Sequence, residues 1–70
     1  MEKKVFSTEK MDRYEIWLGS RVVRITHDKE FGTVVATTWV NNGEIICNER
    51  FEGKTLGGAR RFAKKWLGQN

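Results

Sequence analysis

The 70 residues carry 39% apolar and 31% charged side chains and a net charge of +4, the make-up of one small domain that buries about 60% of the surface its unfolded chain exposes. A single cysteine, Cys47, excludes an intramolecular disulfide, and with the lone His27 it falls short of a four-ligand zinc site. No run approaches the ~18 apolar residues of a membrane span and Met1-Glu2-Lys3-Lys4-Val5-Phe6 has no signal-peptide core, so a cytoplasmic chain with no membrane contact and no cofactor is expected.

Residues 1–11 are polar apart from Val5, Phe6 and Met11, and read as a loose tail or a short edge strand; residues 12–70 form a single sheet-plus-helix domain. From Arg13 to Leu18 the pattern alternates. Tyr14, Ile16 and Leu18 fall on one side and Arg13, Glu15 and Trp17 on the other, the period of a half-buried strand. Gly19-Ser20 makes a turn. Arg21 to Thr26 is β-branched and predicts a second strand, whose adjacent Val22 and Val23 leave its facing open. His27 to Gly32 reads as a charged loop in which His27 is a solvated surface residue.

Thr33 to Phe51 contains two β-rich runs around Asn42-Gly43, a dipeptide that accepts the positive φ angles of a tight hairpin. A two-residue turn there predicts that Val40 faces Ile45, Thr38 faces Cys47 and Val34 faces Phe51. These form the inner face, with Cys47 as a small core residue. The outer face then carries Thr33, Val35, Thr37 and Trp39 beside Ile46, Asn48 and Arg50.

Thr55 is a predicted N-cap, Leu56, Ala59, Phe62, Ala63, Trp66 and Leu67 recur at helical spacing, and Gly68 supplies a stop. At 100° per residue the apolar side chains fill an arc of about 140°, with Arg60, Arg61, Lys64 and Lys65 opposite. Gly57 and Gly58 weaken the first turn by about 1 kcal/mol each relative to alanine, or let it lie close to the sheet or a ligand. The fold expected is therefore α+β: a three- to four-stranded antiparallel sheet packed on one C-terminal amphipathic helix.

Chemistry-bearing patterns are few. Gly53-Lys54-Thr55 resembles the end of a phosphate-binding loop, but Asn48 stands where that motif needs glycine and 70 residues cannot build its parallel α/β sheet. No serine or cysteine has a base and an orienting partner in the pattern, so no catalytic residues, no metal site and no enzymatic activity are expected. The charge, in contrast, is unevenly placed. Residues 1–52 hold eight Lys/Arg against all nine acids, whereas residues 53–70 hold five Lys/Arg and no acid. Lys54, Arg60, Arg61, Lys64 and Lys65 thus form a basic stretch able to contact successive phosphates; the same residues also read as an ordinary solvated helix face. The outer sheet face is a second candidate surface, with Trp17 and Trp39 beside Arg13 and Arg50, residue types enriched at binding hot spots.

The strand–strand–strand–helix order, with an Arg/Trp-bearing outer face and a helix containing Ala59, Ala63 and Trp66, resembles the DNA-binding domains of plant ethylene-response factors and the arm-binding domains of tyrosine recombinases. That resemblance implies a sheet laid in the DNA major groove, with Arg13, Arg21, Arg24, Trp39 and Arg50 as contacts. The stretch Gly57-Gly58-Ala59-Arg60-Arg61-Phe62-Ala63-Lys64 is similar to the Gly-x-Ser-Lys-Lys-x-Ala-Lys segment of double-stranded-RNA-binding domains, which implies phosphate contacts from the helix. Ala59 replaces the serine, and the first helix of that fold has no counterpart. The expected function is a small nucleic-acid-binding accessory or regulatory protein. The alternative is a protein-interaction module or inhibitor of mobile-element or phage-like type that uses the outer sheet face, including as a homodimer.

Overall fold

A computed structural model describes residues 2–41 and 45–68. Five strands, β1 (Glu2–Ser7), β2 (Met11–Leu18), β3 (Arg21–Asp28), β4 (Thr33–Asn41) and β5 (Ile45–Gly53), precede one helix, α1 (Leu56–Leu67). The strands form an antiparallel meander in the order β1-β2-β3-β4-β5, and α1 crosses one face over β3, β4 and β5. The α+β class therefore holds, with five strands where three to four were expected. The additional strand is β1, whose side chains are all exposed. A strand that buries nothing leaves no period-two signature to read.

The face under the helix carries the core: Val23 and Ile25 of β3, Val34 and Ala36 of β4, and Ala59, Ala63, Trp66 and Leu67 of α1, with Tyr14, Ile16, Val40, Phe51, Leu56 and Phe62 packed at its margin. Both Val22 and Val23 are buried, on opposite faces. Val23 lies beneath the helix, whereas Val22 is flanked by its register partners Trp17 and Trp39 on the other side. Phe51 and Phe62 stack with ring centroids 5.8 Å apart. Gly58 allows this approach, since a Cβ there would lie 3.1 Å from the Phe51 ring and 3.0 Å from the Thr55 hydroxyl oxygen. That hydroxyl accepts from the Gly58 N–H at 3.1 Å, the expected N-cap, and the Gly68 N–H closes the last turn on the Lys64 carbonyl.

Two turns follow from glycine. Leu18 pairs with Arg21, so Gly19-Ser20 is a two-residue hairpin turn; Gly19 has φ +60°, and among the described residues no non-glycine residue, Ser20 included, has positive φ, the pattern of a type II′ turn. The expected loop from His27 to Gly32 is shorter than predicted, because β3 continues to Asp28. The Asp28 carboxylate then accepts from the Glu30 and Phe31 N–H groups, and Gly32 at φ +67° ends the turn. His27 is accordingly not a solvated loop residue. It is half-buried between its register partners Asp12 and Val34, and its Nδ1 is buried with no hydrogen-bond partner among the described residues.

The β4–β5 register also differs from expectation. Asn41 pairs with Ile45, Val40 with Ile46, Trp39 with Cys47, Ala36 with Phe51 and Val34 with Gly53. Three residues rather than two separate Asn41 from Ile45, which shifts the pairing once, and an irregularity between Thr37 and Trp39 shifts it again. Thr38 and Val34 therefore do not face Cys47 and Phe51. The Asn42-Gly43 turn and the side chains of Ile45, Ile46, Cys47 and Asn48 lie outside the described residues.

At the far end of β2, buried Asp12 ties three segments together. Its carboxylate accepts from the Ser7 hydroxyl at 2.6 Å and lies 3.3 Å from Lys29 and 3.7 Å from Lys4. The Ser7 hydrogen bond, opposed by burial and assisted by Lys29 and then Lys4, holds its pKa below the ordinary aspartate value.

Candidate nucleic-acid interface

The nine candidate residues divide between two surfaces on opposite sides of the sheet. On α1, Arg61, Lys64 and Lys65 are exposed, and Lys54 is exposed just before the helix. None of the four forms an ion pair with a carboxylate among the described residues. Positions 61, 64 and 65 are i, i+3 and i+4 neighbours, with Cβ atoms about 5–6 Å apart, so their heads can reach adjacent points along one anionic chain.

Arg60 does not belong to that open group. Its Nε–H and Nη2–H each donate at 3.2 Å to the two oxygens of the Glu2 carboxylate, and its guanidinium lies 5.4 Å from the centre of the Tyr14 ring. The helical wheel places Arg60 with the other cations, but a long side chain at the edge of the arc reaches sideways to β1 and β2. Two cavities flank the helix. One of about 470 Å³ is lined by Glu2, Ile16, Arg60, Arg61 and Lys64, and one of about 300 Å³ by Glu49, Phe62, Lys65 and Trp66.

The outer sheet face is ordered in cross-strand rows, because alternate residues of a strand share a face. Trp17, Val22 and Trp39 make one row, Glu15, Arg24, Thr37 and Arg50 the next, and Arg13, Thr26, Val35 and Glu52 a third. Trp17 is 43% exposed and Trp39 half-buried. Arg24 lies 4.5 Å over the Trp39 ring and is bonded through Nε and Nη2 to Glu15. Arg50 pairs with Glu52 at 2.9 Å. Arg13 sits 5.9 Å over Phe6, with its Nε buried and unpartnered among the described residues. The Arg and Trp side chains are thus coplanar as expected from alternation, but two of the three arginines are neutralised by carboxylates in the same layer. Arg21 is on the other side altogether, its guanidinium 4.2 Å over the ring of Trp66.

Sequence reasoning missed two participants, Glu2 and Arg24's partner Glu15. Nothing local marks Glu2, which is 58 residues from Arg60. Among the described residues, no cluster of His, Cys, Asp and Glu is arranged to hold a metal ion, and no helix is long and apolar enough to cross a membrane. No protein-family model matches the chain, and no curated protein or solved structure matches it.

Proposed function

We propose that this chain is a small non-enzymatic nucleic-acid-binding protein, acting as an accessory or regulatory factor, which holds the phosphate backbone with the polar face of an amphipathic helix. One observation carries the reading: Lys54, Arg61, Lys64 and Lys65 are exposed and have no carboxylate partner among the described residues, on a segment that contains no acid. The cations elsewhere that sequence alone nominated are partly spent on internal pairs, Arg50 with Glu52 and Arg60 with Glu2. A concentrated positive face draws polyanions over a Debye length and gains further from counterion release.

The test is a salt titration of binding to a generic duplex. Four contacts give a log–log slope of about −3 to −4, at about −0.9 per contact. The triple replacement Arg61→Gln, Lys64→Gln, Lys65→Gln flattens the slope to about −1 and weakens binding at ~50 mM salt by more than about tenfold. Its melting temperature stays within a few degrees of wild type, since these side chains face water. Absence of binding to duplex DNA, duplex RNA and single strands alike at ~50 mM salt sinks the reading.

A second reading has its own support in the row Trp17–Val22–Trp39, on the side of the sheet away from α1, in which Trp17 is 43% exposed. A sheet face carrying two large aromatics and internally neutralised arginines fits a protein surface better than a phosphate chain. A homodimer through that face is its simplest form. On this reading Trp39→Ala converts a dimer to a monomer in sedimentation velocity and costs at least ~1 kcal/mol of association. A wild-type chain that sediments as a monomer at all accessible concentrations removes the dimeric form of it.

A further inference from the structure

The open cavity of about 470 Å³ between β1–β2 and α1 is lined by three cations, Arg60, Arg61 and Lys64, one carboxylate, Glu2, and an apolar floor at Ile16. Among the described residues, only one of the three cations has a carboxylate partner, Arg60 with Glu2. We propose that this cleft is a phosphate subsite that Glu2 occupies in the free protein, its two carboxylate oxygens standing where two phosphate oxygens bind. The proposal deepens the polyanion reading of α1 and, for its macromolecular ligand, rests on it.

Four features support it. The fork of the Arg60 guanidinium already holds a planar pair of oxygens at 3.2 and 3.2 Å, a geometry that phosphate satisfies equally well. The Tyr14 ring 5.4 Å away keeps that guanidinium in position when its anion leaves. A carboxylate has two oxygens and one charge; a phosphate offers further oxygens to Arg61 and Lys64 on the cleft wall, so it gains contacts that Glu2 cannot make. Finally, Glu2 is weakly held. It lies at the end of the edge strand β1, its side chain is 37% and that of Arg60 43% exposed, and an ion pair so open to water is screened and readily exchanged.

The experiment compares wild type, Glu2→Gln, the double variant Glu2→Gln/Arg60→Gln, and Glu30→Gln, which removes the same charge from the β3–β4 loop. Each is titrated with a generic duplex across salt, and separately with inorganic phosphate while the Arg60 Nε–H resonance is followed by NMR. For duplex, Glu2→Gln tightens binding about three- to tenfold at ~50 mM salt, because no carboxylate has to leave Arg60 before phosphate binds. That gain vanishes in the double variant, and Glu30→Gln produces less than half of it. For inorganic phosphate, the Arg60 resonance shifts at lower concentration in Glu2→Gln than in wild type.

The proposal is overturned if Glu2→Gln matches wild type in both titrations, or if its gain survives in the double variant or equals that of Glu30→Gln, because the effect is then net charge alone. The two sources of phosphate separate cleanly. A response of Arg60 to inorganic phosphate without duplex binding keeps the subsite and rejects the nucleic-acid reading, while duplex binding that ignores Glu2 keeps that reading and rejects the subsite.

Discussion

Trp66→Ala is expected to cost about 3–5 kcal/mol, most of the roughly 4–10 kcal/mol that a domain of this size has to lose. Trp66 is 4% exposed and sits in the cluster that joins α1 to β3 and β4. It shares that cluster with Val23, Ile25, Val34 and Leu67 and with three alanines, Ala59 and Ala63 on the helix and Ala36 on the sheet. Alanines cannot move inward to fill the space an indole leaves, so the cavity term adds almost fully to the lost transfer energy. The guanidinium of Arg21, 4.2 Å over the ring, loses its platform as well. Phe62 is a weaker point than helical spacing alone implies, since it is only half-buried against Phe51, and Phe62→Ala should cost less than Trp66→Ala. Chemical denaturation checks the ranking: Trp66→Ala unfolds at low denaturant or in its absence, Phe62→Ala falls between, and Arg61→Ala stays within about 0.5 kcal/mol of wild type. A Trp66 variant that melts near wild type would mean that α1 is not docked on the sheet.

How much of this was legible in the sequence depends on whether the determinant was local. The strand β2 and the helix could be read directly, because alternation of Tyr14 and Ile16 against Arg13, Glu15 and Trp17, and the Thr55 to Gly68 bracket, are contained in single segments. The facing of Trp17, Trp39, Arg13 and Arg50 followed from period two. Val22-Val23 is undecidable from sequence, since both are buried: on the outer side of β3, Val22 lies between its cross-strand partners Trp17 and Trp39. The pairing of β4 with β5 was misread because it rests on the loop length after Asn41 and on a side chain that distorts the ladder, neither of which composition reveals. The Glu2–Arg60 pair was out of reach for a different reason. It spans nearly the whole chain and exists only because the meander brings β1 beside β2 and the helix returns across the sheet.

The distortion in β5 gives the second large effect. Thr38→Val is expected to destabilise the domain by about 2–3 kcal/mol although the two side chains have nearly the same shape. Thr38 is fully buried on β4, opposite the point where the β4–β5 pairing shifts. Its hydroxyl oxygen accepts from the Glu49 N–H at 2.6 Å and its hydroxyl hydrogen goes to the Glu49 carbonyl at 3.1 Å. One side chain therefore bonds both the N–H and the carbonyl of Glu49 at the point where the ladder is irregular. Valine removes both bonds, each worth roughly 0.5–1.5 kcal/mol net and more at a part-buried site. Thr38→Ser keeps the hydroxyl and loses only a methyl group, at about 1 kcal/mol. The pairing also matters for the surfaces. A one-residue slip turns every side chain of a strand to the other face, which would lift Phe51 off Phe62 and bring Arg50 under the helix. Hydrogen exchange isolates the local event: the Glu49 amide is protected in wild type and in Thr38→Ser, and exchanges far faster in Thr38→Val. Equal stability and equal Glu49 protection in the valine variant would show that the hydroxyl does not hold the register, and that loop length after Asn41 alone sets which side chains of β5 meet the helix.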